Sequence, residues 1–476
     1  MPGKRKRQHE IDYTLRRVFG KRSFRFAYSI QSTSLATFRS DELNNQVASM
    51  RKANVRVETI NSTTTPATKS KIIEDLRCGH PLTRLLYVTP EYCQLDSFRN
   101  LLRVVHSQRE LARIAVDEAH CVSEWGHDFR PSFQQLSFFK IEFPDVPVIC
   151  LTATATPRVR ADIIATLALD PATLRTFRMT TSRPNLHYEV RFKSDDADPY
   201  DSFLAWLRAA HTRRAANPSR ASQLASQNQR PDNVPGIIYT LFRKDCESLA
   251  ARLRADGIGA KPYHAGLPHA ERAATLTNWV TNTPGFDVVV ATTAFGMGID
   301  KENVRFVVHW QLPKSFEGFY QEAGRAGRDG KASVCMLFYG REDRDRAASM
   351  MARDAARQLT KAGGSVAVQQ QQLVHRAKSL QALVAYCEAT DRCRHALIAR
   401  YFGDGDVGVD DGGDDGGGGR GNGKEKGNGL APPCDFACDW CKDAVGLVKR
   451  KEAGLASEEW CSTQREMGRY EVEGYE

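Results

Sequence analysis

The chain alternates short apolar runs with longer amphipathic ones. Residues 55–60, 84–88, 113–116 and 146–151 are short, β-branched or otherwise apolar stretches that read as buried parallel strands. Helix-period segments separate them, for example around residues 69–77. The pattern pauses near Ser182-Arg183-Pro184-Asn185 and restarts, with residues 236–240, 287–291, 304–310 and 333–339 as a second set of strands. Strand–helix alternation repeated twice predicts two α/β domains, each a parallel sheet covered by helices, with a cleft between them. After residue 341 or so the strands stop and helical pattern takes over.

Three stretches break this order. Residues 215–233 are rich in Ser, Gln, Asn and Arg and read as a surface insertion in the second domain. Residues 404–428 are dominated by Gly and Asp and read as a disordered loop. Residues 446–476 read as a short charged tail. There is no internal repeat.

Composition changes this picture little. The 476 residues suffice for two or three domains, and 41% hydrophobic with 26% charged residues is ordinary for a globular protein. No apolar run approaches the ~20 residues that span a bilayer, so no membrane association is expected. A net charge of +10 suggests a polyanionic partner. The N-terminal Lys4-Arg5-Lys6-Arg7 is not followed by an apolar segment, so no secretory signal is expected. It reads either as a nuclear import signal or phosphate-binding arm, or as a solvated basic end. Most of the 12 cysteines stand singly in apolar segments, and three cluster near the C-terminus. That distribution fits a reducing compartment and one metal site better than a disulfide framework.

The chemistry concentrates at strand ends. Asp117-Glu118-Ala119-His120 follows the strand at 113–116. There the Asp can hold Mg²⁺ through water while the Glu orients and deprotonates an attacking water. Leu151-Thr152-Ala153-Thr154-Ala155-Thr156 ends the next strand. In the second domain, Gln321-Glu322-Ala323-Gly324-Arg325-Ala326-Gly327-Arg328-Asp329-Gly330 sets two arginines three apart in a Gly-rich turn, suited to stabilising a γ-phosphate. Cys434-x₃-Cys438-x₂-Cys441 gives three thiolates at near zinc-finger spacing. A fourth ligand is needed, and Cys387 and Cys393 both offer one.

The order of these motifs resembles superfamily-two helicases, and their details resemble the RecQ family of DNA helicases over roughly residues 15–441. Asp117-Glu118-Ala119-His120-Cys121-Val122-Ser123-Glu124-Trp125-Gly126-His127-Asp128-Phe129-Arg130-Pro131 is the strongest match, although the family usually has Gln where Glu124 stands. The resemblance implies two RecA-like domains, the first incomplete, at residues 15–185 and 186–345. A helical zinc-binding domain at 346–445 would follow, and residues 1–14 would form a basic tail. It also implies a loop of Trp125, His127, Phe129 and Arg130 that senses single-stranded DNA, and stacking and phosphate contacts suit those residue types. Tyr263-His264-Ala265-Gly266-Leu267 and Ala291-Thr292-Thr293-Ala294-Phe295-Gly296-Met297-Gly298-Ile299-Asp300-Lys301 resemble later motifs of the family. By that likeness Asp300 helps bind nucleotide and Thr292 touches the DNA backbone.

The segment around Phe19-Gly20 to Arg25 resembles the family's N-terminal nucleotide motif, with Tyr28 where the adenine-contacting Gln is usual. Arg25 is thereby a nucleotide-binding candidate. The cofactors implied are ATP, Mg²⁺ and Zn²⁺, with Asp117, Glu118, His120, Arg325 and Arg328 as the hydrolytic set. Because the family's fourth ligand precedes a basic residue and a Tyr-Phe-Gly turn, as Cys393 precedes Arg394 and Tyr401-Phe402-Gly403, the likeness assigns zinc to Cys393, Cys434, Cys438 and Cys441. His395 reads as a surface helix residue. The implied activity is 3′-to-5′ unwinding of DNA in recombination, repair and replication. Its substrates would be single-stranded, branched or tailed duplex DNA in the nucleus.

One family element has no counterpart. No stretch matches the phosphate loop Gly-x-x-x-x-Gly-Lys-[Ser/Thr], and Arg22 interrupts Gly20-Lys21-Arg22-Ser23. A few tens of residues that would carry the loop and its leading strand are expected between Arg25 and Leu43. Residues 29–40 are Ser- and Thr-rich and resemble none of them. Loss of a central strand is expected to leave its neighbours facing a gap. The abrupt junction favours a skipped coding segment over a genuinely degenerate copy. A DNA-binding module without catalysis is the alternative function.

Overall fold

The computed structural model describes residues 33–37, 47, 50–62, 64–123, 129–193, 198–216, 218–226, 229–296, 299, 301–360, 366–404, 434 and 437–455. Arg25, Trp125, His127 and Asp300, and the Gly/Asp-rich loop after Asp404, lie outside them. The chain divides into two units, the second beginning at Arg178.

The first unit is built on a five-stranded parallel sheet. Its strands are β1 (Thr33–Thr37), β2 (Val57–Ile60), β3 (Leu85–Val88), β4 (Leu111–Val116) and β5 (Val148–Cys150), in the order β2-β3-β1-β4-β5. Both faces are covered, so successive residues of one strand enter different cores. Leu86 and Val88 pack with Ile72, Leu76, Phe98 and Leu101, while Leu85 and Tyr87 pack with Val47, Met50 and Val57. Helices Pro66–Arg77 and Pro157–Thr166 start alike: a Thr side chain (Thr65, Thr156) accepts a backbone N–H and a proline stands in the first turn.

The expected gap in this sheet is absent. β1 runs parallel between β3 and β4, with Thr37 opposite both Val88 and Val116. It falls within the Ser/Thr-rich stretch that sequence periodicity left unassigned. Thr is β-branched and suits a strand, and a five-residue strand with one Leu has too little contrast to show a period. The backbone groups of β3 and β4 therefore have a partner where the missing strand would have lain.

The second unit holds a six-stranded parallel sheet of β6 (Leu186–Phe192), β7 (Gly236–Tyr239), β8 (Ala260–Tyr263), β9 (Val288–Ala291), β10 (Phe306–His309) and β11 (Ser333–Tyr339). Their order is β6-β11-β10-β7-β9-β8. β6 and β8 were not legible in the sequence. β6 alternates buried with half-buried residues, and β8 carries Pro262, which only an edge position tolerates. Gly236 is required by packing, since a Cβ there would lie 2.0 Å from the Phe306 ring.

Two expectations about this unit need correction. The polar stretch at 215–233 is not simply a surface insertion: it contains the helix Pro218–Ser226, buries Leu224, and returns Arg230 to Asp287 at 3.0 Å. The supposed tail begins with the helix Ala444–Leu455, which buries Leu447 and Leu455 and sets Gly454 against Phe192 of β6. Long helices Arg341–Thr360 and Val366–Glu388 lead into Arg394–Phe402. No helix among the described residues is long and apolar enough to cross a membrane.

Candidate functional site

Asp117 and Glu118 sit immediately beyond β4, at the carboxyl end of a parallel strand, the usual location of ligand sites in such sheets. Both are half-buried. Glu118 adopts a left-handed backbone (φ 50°, ψ 42°), which a non-glycine residue holds only when its surroundings enforce it. The enforcement is visible. Ala119 donates its N–H to the Leu151 carbonyl at 2.8 Å, and Leu151 donates to Val116 at 2.9 Å, stitching the turn to the end of β5.

His120 is buried behind the two carboxylates. Its Nδ1 lies 3.2 Å from Glu118 Oε2 and 3.1 Å from Thr152 Oγ1. Burial works against its charged form, but hydrogen bonding and charge attraction from Cys121 and Glu118 outweigh that and raise its pKa to about 10. The contact holds the Glu118 side chain in place, and the carboxylate oxygens of Asp117 and Glu118 are hard donors of the kind a divalent cation takes. Thr152 was quoted in the sequence only as part of a motif; the fold makes it the histidine's partner.

The segment after this turn returns to it. Arg130 donates its backbone N–H to the Cys121 carbonyl at 3.0 Å and precedes the short helix Pro131–Gln134. Phe129 and Arg130 are half-buried.

In the second unit, Arg325 and Arg328 lie in the turn that ends the helix Phe316–Ala323. Arg325 is buried and Arg328 half-buried. Gly327 has φ +54°, and its N–H is bonded to the Val304 carbonyl at 2.9 Å. The helix is fixed at its end by Glu322, whose Oε2 lies 2.8 Å from Nε2 of the buried His309. It is fixed at its start by Glu317, which accepts from Ser379 and Tyr401, each at 2.5 Å. Thr292 is half-buried at the end of β9. Lys301, from the same motif, is buried and donates to Val280 and Asn282, so its role in this fold is to tie loops together.

The sulfurs of Cys393, Cys434, Cys438 and Cys441 all lie within 4.8 Å of one another, the one cluster of metal-ligating groups among the described residues. Cys393 caps the helix Arg394–Phe402 and Cys438 caps Asp439–Lys442, with the two sulfurs 3.8 Å apart. Sharing hydrogens among crowded thiols, Cys438 first, pulls Cys393 toward the thiolate. A donor set of four sulfurs, without oxygen or nitrogen, is that of a structural zinc site. Cys387 is buried and not part of the set. His395, expected at the surface, is buried: it stands edge-on to Tyr188 and its Nε2 lies 3.3 Å from the Arg183 carbonyl. Behind the cysteines, Arg394 pairs with Asp439 through two contacts of 2.8 and 3.1 Å, neither of them apparent in the sequence.

Family comparisons agree with this division. A DEAD/DEAH box helicase model matches residues 22–163, a helicase conserved C-terminal domain residues 219–330, and a RecQ zinc-binding model residues 341–442. That last match spans all four cysteines of the cluster. The chain belongs to the RecQ family of superfamily-two helicases. Among RecQ relatives, it is 36% identical to the mouse (Mus musculus) ATP-dependent DNA helicase Q5 over 422 residues, 88% of this chain and 38% of that protein. It is 37% identical to the RecQ-like DNA helicase BLM of Xenopus laevis over 75% of this chain and 24% of the relative. It is also 36% identical to the ATP-dependent helicase SGS1 of Saccharomyces cerevisiae, over 68% and 20%. The chain thus spans well under half the length of these relatives.

Proposed function

We propose that this RecQ chain is an ATP-dependent DNA helicase that moves 3′ to 5′ on a single strand and opens duplex DNA during recombination, repair and replication in the nucleus. The observation that carries the reading is the strand-end carboxylate pair Asp117–Glu118, backed by the buried His120, in a chain that also holds the four-cysteine cluster of this family. Asp117 would hold Mg²⁺ through water and Glu118 would orient and deprotonate the attacking water. Arg325 and Arg328 would stabilise charge on the transferred phosphoryl group, with Arg25 and Asp300 as further nucleotide contacts. Trp125, His127, Phe129, Arg130 and Thr292 would meet single-stranded DNA, by stacking and by phosphate contacts. Zinc would be held by Cys393, Cys434, Cys438 and Cys441. The basic run Lys4-Arg5-Lys6-Arg7 supports nuclear import.

The measurement is ATP hydrolysis by the purified full chain with and without single-stranded DNA. Stimulated hydrolysis that falls on the order of 10²-fold or more in Glu118→Gln supports the reading. Tight DNA binding with no hydrolysis would make the chain a DNA-binding module, in line with the absence of a Gly-x-x-x-x-Gly-Lys-[Ser/Thr] loop.

A further inference from the structure

The turn that carries the two arginines is gripped from behind by a third. Arg183 Nη1 donates to the Gly324 carbonyl at 2.7 Å and Nη2 to the Gly327 carbonyl at 2.6 Å. These carbonyls bracket Arg325 and immediately precede Arg328. Asn185 adds a second donor to Gly327 at 2.8 Å and one to Lys331 at 3.0 Å. The fit allows no side chain at 327: a Cβ there would lie 2.5 Å from Asn185 Nδ2.

Arg183 is itself held on both sides. Its carbonyl faces His395 Nε2 at 3.3 Å, beside the cysteine cluster. Two residues earlier, Thr181 donates its N–H and hydroxyl to Asp404 Oδ2 at 2.6 and 2.5 Å, and its carbonyl accepts from Tyr320 of the arginine-bearing helix at 3.2 Å. Arg178 donates to the Gly403 carbonyl at 3.0 Å. The segment 178–185 is therefore a strap between the cysteine-rich subdomain and the arginine turn. A planar two-armed guanidinium is the side chain that can fix two carbonyls at a set spacing.

We infer that Arg183 is a positioning residue for Arg325 and Arg328: it touches no reacting atom, but fixes the backbone from which both arginines project. This rests on the reading of those arginines as phosphate-stabilising groups. A group misplaced by about 1 Å can cost up to the order of 100-fold in rate. Accordingly, Arg183→Ala lowers kcat for DNA-stimulated ATP hydrolysis on the order of 10- to 100-fold with little change in the KM for ATP. Arg183→Ala costs less on the Arg325→Ala background than on the wild type, because only Arg328 is then left to misplace. Arg183→Lys, with one ammonium in place of the fork, falls between wild type and Arg183→Ala.

Hydrogen exchange supplies a readout independent of activity. Amides of residues 324–330 exchange roughly tenfold faster in Arg183→Ala, as loss of a charge-assisted clamp implies, with the six-stranded sheet unchanged. If the wild type hydrolyses no ATP, the functional reading fails and exchange still decides whether the clamp exists. If the wild type is active and Arg183→Ala keeps its kcat, or the double variant loses the product of the two single losses, or exchange at 324–330 is unaltered, the positioning role is overturned.

Discussion

Arg394 and Asp439 face each other through a two-pronged ion pair whose side chains are 0% and 3% exposed. The arginine follows Cys393 and the aspartate follows Cys438, so the pair joins the two halves of the cysteine cluster directly behind its sulfurs. Asp439 also accepts the backbone N–H of Val190 at 2.9 Å, and Arg394 donates to the Tyr386 carbonyl. Asp439→Asn leaves a buried guanidinium without its counter-charge and should destabilise the second unit by about 3–5 kcal/mol. Denaturant unfolding measures this. A loss below about 1 kcal/mol would mean that the pair is not desolvated in solution.

Purified protein should carry one equivalent of zinc, lost in Cys393→Ser and kept in Cys387→Ser. Cys393 is one of four convergent sulfurs, whereas Cys387 is a buried thiol outside the set, its pKa pushed far up by burial. Metal analysis after dialysis distinguishes the two. Equal zinc in both variants would remove Cys393 from the ligand set.

Gly236→Ala should unfold the second unit more easily by about 1–3 kcal/mol, the usual cost of forcing extra volume into a packed core. The added Cβ meets the ring of Phe306, buried on the neighbouring strand. A thermal melt shows the effect, and an unchanged Tm would mean that the ring moves aside freely.

Lys301 gives a pH dependence of known sign. Burial first, then the positive charges of Arg214 and Arg305, lower its pKa from 10.5 to about 8. The folded chain binds this proton less well than the unfolded one, so this group's contribution to stability is present above the unfolded value and lost as pH falls through about 8. Wild type should therefore gain stability relative to Lys301→Met between pH 8 and 10. Parallel stability curves across that window would contradict the shift.

Phe129→Ala should weaken single-stranded DNA binding by about 1–3 kcal/mol, the range for one stacked base. Fluorescence anisotropy with a labelled oligonucleotide reads this out, and unaltered affinity would take Phe129 out of the DNA contact set.

Residue pattern made the two parallel sheets legible wherever a strand is buried on both faces and continuously apolar, as at Leu85–Val88 or Val288–Ala291. It failed where a strand departs from that continuous apolar run. β6 alternates, β8 carries a proline, and β1 is made mostly of Ser and Thr. The carboxylate turn and the cysteine set were visible because their chemistry depends on residue type and local spacing. Arg183 was visible only as part of the Ser-Arg-Pro-Asn pause between the two sets of strands. Its role lies in two backbone carbonyls more than 140 positions away, and no local pattern encodes such a contact. The Arg394–Asp439 pair, 45 positions apart, was hidden for the same reason.

β6 is the outer strand of its sheet, yet part of its free side is occupied. Tyr188 donates its N–H to the Ala437 carbonyl at 3.0 Å, and Val190 donates to Asp439. Both acceptors flank Cys438. The four-cysteine cluster thus keeps a sheet margin out of reach of other chains, and loss of its zinc would bare two N–H donors on an edge strand. The expected outcome of chelation is self-association and precipitation rather than a tidy monomeric apo-protein.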